Sequence, residues 1–309
     1  MASAATTVLN SLGVVIVTYR SAADIADCLG QLPVTELAGV VVVDNDSWDT
    51  TRDVVRSLDL PGVTLLHRTN RGFGAGCNVG LAALPTTASL VLFLNPDARI
   101  QRADLRRLAE YVAARDDCAL AGPRMTRRGR AHYSAGRQPS LATELHPLLP
   151  RALGALLPER RYDPDFATSG PVGYVEGACM LARRDAITAV GGFDETYFLC
   201  FEEMDLARRL VAAGWSVHLC AEATAEHAGG SSREHIPQSG ADHQVRSQVF
   251  YLRKWRGAAA GRVFTRVALL AWWLRRRVGK LDEQRYRAIR SGLRTPLRGG
   301  SVTPTGGEP

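Results

Sequence analysis

Residues 90–97 read LVLFLNPD. The five apolar residues Leu90 to Leu94 have the length and composition of a buried strand. The run stops at Asn95-Pro96-Asp97, so an amide and a carboxylate stand at the end of a strand that is apolar throughout. Strands buried on both faces belong to parallel sheets covered by helices. In such sheets ligands lie beyond the carboxyl ends of the strands. Asn95 and Asp97 therefore stand where a ligand would be met.

The flanking sequence fits the same architecture. Leu12–Thr18 is rich in β-branched residues, Val40–Val43 is a second apolar run, and Val63–Leu66 is a third. The pattern predicts helices from Ser21 to about Gln31 and from Thr50 to Leu58. The glycine-rich stretch Asn70–Gly80 enters another helix ahead of Pro85. Strands alternating with helices imply an α/β fold with a mainly parallel sheet flanked by helices. Asp44 and Asp97 each fall just past an apolar run and would meet in one crevice.

Farther on the pattern weakens. From Gly122 to Gly170, with basic Arg124–Arg130 and leucine-rich Leu141–Leu157, the chain reads as an insert of short helical pieces over the crevice. Order returns at Val172–Leu181, and Gly191–Glu195 makes a turn. Glu202-Glu203-Met204-Asp205 opens a helix whose Leu206 and Leu210 share one face, with Gly214 as its stop. Trp215–Leu219 reads as a short strand, followed by a loop and Glu226-His227. From about Gln244 the chain is helical and basic, and Ser301–Pro309 is expected to be disordered.

The 309 residues are 46% hydrophobic, enough for one large domain with or without an appendage. The net charge of +7 is unevenly distributed. Residues 253–298 carry 14 Lys/Arg against Asp282 and Glu283, a formal +12, so the remainder is +7 − 12 = −5. Met1–Ser11 lacks the pattern of a secretory signal, and Val267–Leu274 is shorter than the about 20 residues a membrane span needs. The six cysteines form no CxxC pair and read as reduced, packed thiols. A cytoplasmic protein is expected.

Each candidate site has a plain structural reading beside the chemical one. Asn95-Pro96-Asp97 are turn formers, or Asp97 is a hard oxygen ligand for Mg²⁺ or Mn²⁺ on a diphosphate. Ser47 or Asp49 can cap the next helix, whereas Asp44 could accept a hydrogen bond from a nucleobase or ribose. Gly72-Phe73-Gly74-Ala75-Gly76 serves close packing or a backbone approach to a ligand; its spacing is wrong for a dinucleotide fingerprint. The acids Glu202, Glu203 and Asp205 suit a helix N-terminus, or one of them deprotonates an acceptor hydroxyl. Trp272-Trp273 beside Arg275-Arg276-Arg277 reads as core plus solvated face, or as a segment at a membrane surface.

The order of these motifs resembles the family 2 inverting glycosyltransferases of the GT-A fold, and within them the rhamnosyltransferase-like branch. The resemblance spans roughly residues 12–256. It rests on Val17-Thr18-Tyr19, the segment Val43–Asp49, the segment Asn70–Gly80 and Leu94-Asn95-Pro96-Asp97. Gly191–Glu195, Phe201–Leu206, Gly214-Trp215, Glu226-His227 and Gly230-Ser231 continue it.

The resemblance implies a Rossmann-like nucleotide-diphospho-sugar fold with a nucleotide-sugar half at about 12–122 and an acceptor half at about 123–243. A basic helical extension covers 244–300, and a tail covers 301–309. Thr18 and Asp44 would contact base and ribose, with Asn78 nearby. Asp97 matches the final acid of the metal-binding motif, whose first acid is replaced here by Asn95, and His227 matches a histidine that completes the metal site. Glu203 stands at the position of the catalytic base, usually aspartate, with Glu202 and Asp205 as alternatives. Asp194 and Glu176 would lie on the acceptor side.

The expected donor is a nucleotide sugar, dTDP-L-rhamnose first. The expected acceptor is a polyprenyl-diphosphate-linked saccharide in cell-envelope synthesis, met at an anionic membrane surface by the basic helices. Nucleic acid is not expected, since no recognised nucleic-acid module accompanies the basic tail. The alternatives are a soluble glycosyltransferase acting on a small natural product and a non-catalytic nucleotide-sugar-binding relative. The misplaced glycines argue against a dinucleotide-dependent oxidoreductase.

Overall fold

The computed structural model describes residues 7–154, 157, 168–228, 239–295 and 297. Gly230-Ser231, the tail 301–309 and residues 155–156 of the leucine-rich stretch lie outside them. The described strands are β1 (Leu12–Thr18), β2 (Gly39–Asn45), β3 (Val63–Arg68), β4 (Leu90–Leu94), β5 (Ala98–Ile100) and β6 (Cys118–Arg127). They continue as β7 (Arg130–Ala131), β8 (Ala135–Gly136), β9 (Gly170–Pro171), β10 (Tyr174–Val175), β11 (Cys179–Arg183) and β12 (Ser216–His227). The main sheet runs β3-β2-β1-β4-β11-β6-β12-β5. Strands β3, β2, β1 and β4 are parallel, β11 is antiparallel to both β4 and β6, and β12 is parallel to β6.

Side-chain alternation explains why the central strands are apolar throughout. Val14 and Ile16 of β1, Val40 and Val42 of β2, and Leu90, Leu92 and Leu94 of β4 enter one core. Val15 and Val17, Val41 and Val43, and Val91 and Phe93 enter the other. With period two and both faces covered, no position is left for a polar residue. Helices Ile25–Gly30, Thr51–Ser57 and Arg102–Ala113 cover the first face, and Phe73–Ala83, Arg184–Ala189 and Glu202–Ala212 the second.

The glycine cluster at the start of Phe73–Ala83 serves packing. A Cβ on Gly80 would come within 2.3 Å of Val15 Cγ1, so the helix lies directly on β1 because these residues lack side chains. Gly72, at φ +102°, meets the Phe198 backbone in the same way. Gly80→Val is expected to destabilise the fold by about 1–3 kcal/mol through overpacking. A urea midpoint equal to that of the wild type would refute the close approach.

Several elements depart from the sequence reading. Strand β2 runs on through Asn45, so Asp44 pairs in register with Thr18 and His67 inside the sheet, not past its edge. Neighbouring donors satisfy its carboxylate, so the ladder need not stop there. Strand β6 extends to Arg127 and thus takes in the start of the stretch expected to be an insert. Strand β12 is twelve residues long, not five, and carries His227 at its own end. A register shift between Cys220 and Thr224 breaks its alternation, which leaves only the first part legible as a pattern. Val172–Leu181 is divided between β10 and β11.

The C-terminal region is two helical stretches within Ser239–Arg277, bent at Gly257 (φ 84°, ψ 164°), followed by Glu283–Arg294. The expected boundary at 243/244 falls inside the first stretch, which is bound into the body. Tyr251 is fully buried in the second core, and Ser247 Oγ donates to the Leu199 carbonyl (2.9 Å). Phe264, Ala268, Ile289 and Leu293 pack with Val245, Val249, Leu252 and Leu148 into a third core. All six cysteines are free thiols and five are buried. Burial pushes the Cys28 thiol up to about 12 and Cys118 to about 11.

Candidate active site

A cleft of about 270 Å³ opens beyond the ends of β1, β2 and β4, as expected of an open α/β sheet. The end of β1 supplies Thr18 and Tyr19, and the end of β2 supplies Asn45. The turn after β4 brings Asn95, Pro96 and Asp97. From the far end of β12 comes His227, and from the loop between β10 and β11 come Glu176 and Gly177. The start of the Glu202–Ala212 helix adds Glu202 and Glu203.

Three titratable groups form a chain along one side. His227 Nε2 lies 3.4 Å from Asp97 Oδ1, and its Nδ1 lies 3.2 Å from Glu176 Oε1. Burial alone disfavours the imidazolium, but the bonds and charges of Asp97 and Glu176 outweigh it and raise His227 to about 9. Asp97 is 3% exposed; burial pushes its carboxyl up, yet His227, its own backbone N–H and Arg99 hold it below the usual value.

The sign of the resulting pH dependence follows from the raised value. The protonated imidazole stabilises the metal-free fold below about pH 6.5, and that contribution fades as pH rises through about 9. His227→Gln is therefore expected to remove this part of the pH dependence of the urea midpoint. An unchanged alkaline slope would contradict the charge placement.

A divalent cation fits this side of the cleft. Asp97 offers a carboxylate and His227 an imidazole across 3.4 Å, and Glu176 Oε2 is a buried acceptor atom with no hydrogen-bond partner among the described residues. Among the described residues no three His, Cys, Asp or Glu side chains are arranged to hold a metal by themselves. The set therefore suits an ion shared with a diphosphate, the usual habit of Mg²⁺ and related ions at phosphate sites.

The acids at the helix start are aimed by an unusual backbone. Cys200 (φ 66°) and Phe201 (φ 72°) both adopt the left-handed conformation immediately before Glu202. Such strain persists only where packing over-determines it, and Phe201 is 1% exposed in the second core. Glu202 is buried, while Glu203 is half-buried and faces Gly177.

Some expected site residues lie elsewhere. Asp44 is fully buried behind Thr18, accepting from Thr18 Oγ1 (3.2 Å) and the Ser47 N–H (3.2 Å), with Arg52 Nε at 3.6 Å. Asn78 does not line the cleft: its Nδ2 donates to the Phe193 carbonyl and Glu195 Oε1, and its Oδ1 accepts from the Phe193 N–H. Asp194 accepts from Lys254 Nζ (2.8 Å) and the Thr196 N–H, away from the cleft. Asp205 is fully buried among Tyr197, Arg209, Lys254 and Trp255. These four carboxylate or amide groups organise the fold around the cleft.

Among the cleft residues that escaped the sequence reading, two are cationic or titratable at the ring. Arg127 and His132 line the cleft from either side of the β6–β7 turn, within the stretch read as an insert. Arg128 (φ 51°) and Gly129 (φ 72°) make that turn, and the Arg-Gly pair is the only local signal for it.

An open α/β sheet with acids and a histidine gathered beyond its strand ends is the architecture of a GT-A glycosyltransferase. The mannosyltransferase PcManGT of Pyrobaculum calidifontis, solved with GDP-Man and Mn²⁺, shares the fold at a TM-score of 0.56 and 16% identity, over 93% of this chain and 86% of that one. Residues 13–191 match the family described as Glycosyl transferase family 2, and the chain belongs to that family, among sequences of the rhamnosyltransferase type. It is 30% identical over 311 residues to the N-acetylglucosaminyl-diphospho-decaprenol L-rhamnosyltransferase of Mycobacterium tuberculosis, covering 93% of this chain and 95% of the relative. It is 28% identical over 154 residues to rhamnosyltransferase WbbL of Escherichia coli, covering 48% of this chain and 57% of that protein.

Proposed function

We propose that this glycosyltransferase moves L-rhamnose from dTDP-L-rhamnose to a hydroxyl of a polyprenyl-diphosphate-linked saccharide, inverting the anomeric carbon. The similarity over nearly the whole length of the Mycobacterium tuberculosis enzyme, whose name specifies that sugar and a decaprenyl-diphosphate-linked acceptor, is the observation that carries this reading.

The donor lies with its nucleoside toward Thr18 and Tyr19 and its diphosphate toward Asp97. Glu203 accepts the proton of the acceptor hydroxyl as the oxygen attacks the anomeric carbon, and the bond to the diphosphate breaks on the opposite side. Arg127 faces the charge that builds on the leaving diphosphate. Asp97 and His227 would hold Mg²⁺ or Mn²⁺, whose charge would offset the same build-up. Incubation with dTDP-L-rhamnose and a prenyl-diphosphate-linked N-acetylglucosamine should yield a rhamnosylated lipid. Transfer to a soluble small molecule alone would overturn the acceptor assignment.

The C-terminal helix supports an encounter at a membrane surface. No described helix is long and apolar enough to cross a membrane. Yet Val263, Val267, Leu270, Leu274 and Val278 follow helical spacing along one side, and four of them are 42–64% exposed. Arg262, Arg266 and Arg277 flank the stripe, and Arg277 lies 5.3 Å over the half-exposed Trp273 ring. An apolar stripe bordered by cations suits an anionic bilayer surface. The double variant Leu270→Glu/Leu274→Glu is expected to weaken binding to phosphatidylglycerol vesicles by at least about tenfold, given ~1.5–3 kcal/mol per buried leucine. Undiminished co-sedimentation would refute the face.

A further inference from the structure

A second cavity, of about 580 Å³, lies between the Leu141–Leu148 segment and the C-terminal helices. That volume is in the range of small-molecule sites, about 300–1,000 Å³. Its walls are of two kinds. Leu148, Phe264, Trp272 and Ile289 form an apolar side, and all four belong to or pack against the third core. Arg275 and Arg285 add two guanidiniums to the lining, Arg275 against the Trp272 ring.

We propose that this cavity receives the prenyl-diphosphate end of the lipid-linked acceptor, Arg275 and Arg285 holding the diphosphate and the apolar wall holding the first isoprene units. The inference rests on the acceptor class given above and adds a site for it. Three observations carry it.

The first is chemical complementarity. A hydrocarbon chain that ends in a diphosphate needs an apolar wall beside planar cationic forks, and arginine matches phosphate geometry bidentately. Arg275 is held ready: its Nη2 donates to the Pro147 carbonyl (2.5 Å) and its guanidinium lies 4.6 Å over the Trp272 ring. Arg285 is exposed at the start of the last helix. The cavity also contains the buried acid Glu144, which accepts from Gln248 Nε2 (2.5 Å). Two arginines against one carboxylate leave the site cationic.

The second is continuity with the cleft. The β7–β8 segment separates the two spaces, with His132 lining the cleft and its neighbour Tyr133 lining the cavity; their rings are 5.2 Å apart. A saccharide attached to a diphosphate in the cavity would thus be carried toward Glu203. The third is that a single helix stands between the cavity and the exposed stripe. Phe264, Trp272 and Arg275 lie on the side of their helix opposite the exposed Val263–Leu270–Leu274 stripe. One helix would therefore contact the bilayer on one side and the prenyl diphosphate on the other.

Geranyl diphosphate titrated into the full chain, followed by calorimetry and by tryptophan fluorescence, tests the assignment. Binding is expected to be tighter than that of inorganic pyrophosphate and to persist when dTDP saturates the cleft. It should weaken at least tenfold in Arg285→Glu and in Arg275→Gln. Unchanged dTDP affinity in both variants would show that the fold and the cleft remain intact. Absence of binding, displacement by dTDP, affinity no better than that of pyrophosphate, or wild-type affinity in Arg285→Glu would each overturn it. Failure to rhamnosylate a prenyl-linked acceptor while geranyl diphosphate still binds would count against the proposed reaction and leave the cavity assignment supported.

Discussion

Glu203→Gln is expected to lower sugar transfer by about 10²–10⁴-fold, the usual contribution of a positioned general base. Nucleoside diphosphate affinity should be unchanged. The amide keeps the size and placement of the side chain but cannot accept the hydroxyl proton. Since Glu203 lines the cleft but is no partner of Asp97 or His227 in the diphosphate-side chain, the loss should appear in kcat and not in donor binding. Glu202→Gln is the internal control, because Glu202 shares the wall yet is only 5% exposed. Turnover lost in Glu202→Gln but kept in Glu203→Gln would move the base by one residue. Normal turnover in both would remove the base from this helix.

The largest effect on stability is expected at Asp205. Its fully buried carboxylate takes hydrogen bonds from Tyr197 Oη (3.2 Å), Arg209 Nε (2.8 Å) and Trp255 Nε1 (2.8 Å), and Lys254 Nζ lies 2.7 Å away. Burial, then the charge of Asp205, push the Tyr197 phenol up, which keeps it a donor. Asp205→Ala would strand the Arg209 guanidinium and the Tyr197 and Trp255 donors, and would leave Lys254 with Asp194 as its remaining carboxylate partner. Removing one partner of such a buried pair costs about 3–5 kcal/mol. Denaturant unfolding would measure this, and a loss below about 1 kcal/mol would contradict the hub. Because Asp205 joins the Glu202–Ala212 helix to the Lys254 segment, its loss should also loosen the wall that carries Glu203.

The same residue separates what is readable in a sequence from what is not. Glu202, Glu203 and Asp205 are three acids within one helical turn, and helix polarity favours all three. Linear spacing cannot rank them. Packing does: Glu202 and Glu203 point into the cleft, while Asp205 points at a helix that begins more than thirty residues later. Asn78 and Asp194 likewise stand in motif segments, but their side chains hold the Gly192–Phe193 turn and the Lys254 contact. A motif marks a neighbourhood, and side-chain direction within it depends on partners distant in sequence.

The sequence alone determined the α/β class, the succession of the first four strands along the chain and the delivery of Asp97 to a strand end. Those features follow from period-two burial and from turn residues, both local properties. The family assignment was legible too, because its motifs keep their order along the chain. Only the tertiary structure decided which acids share the cleft, that Arg127 and His132 enter it, that His227 ends a long strand beside Asp97 and Glu176, and that a second cavity adjoins it. Each of these depends on contacts between residues tens to more than a hundred positions apart, made by strand pairing and helix packing, and no local pattern records them.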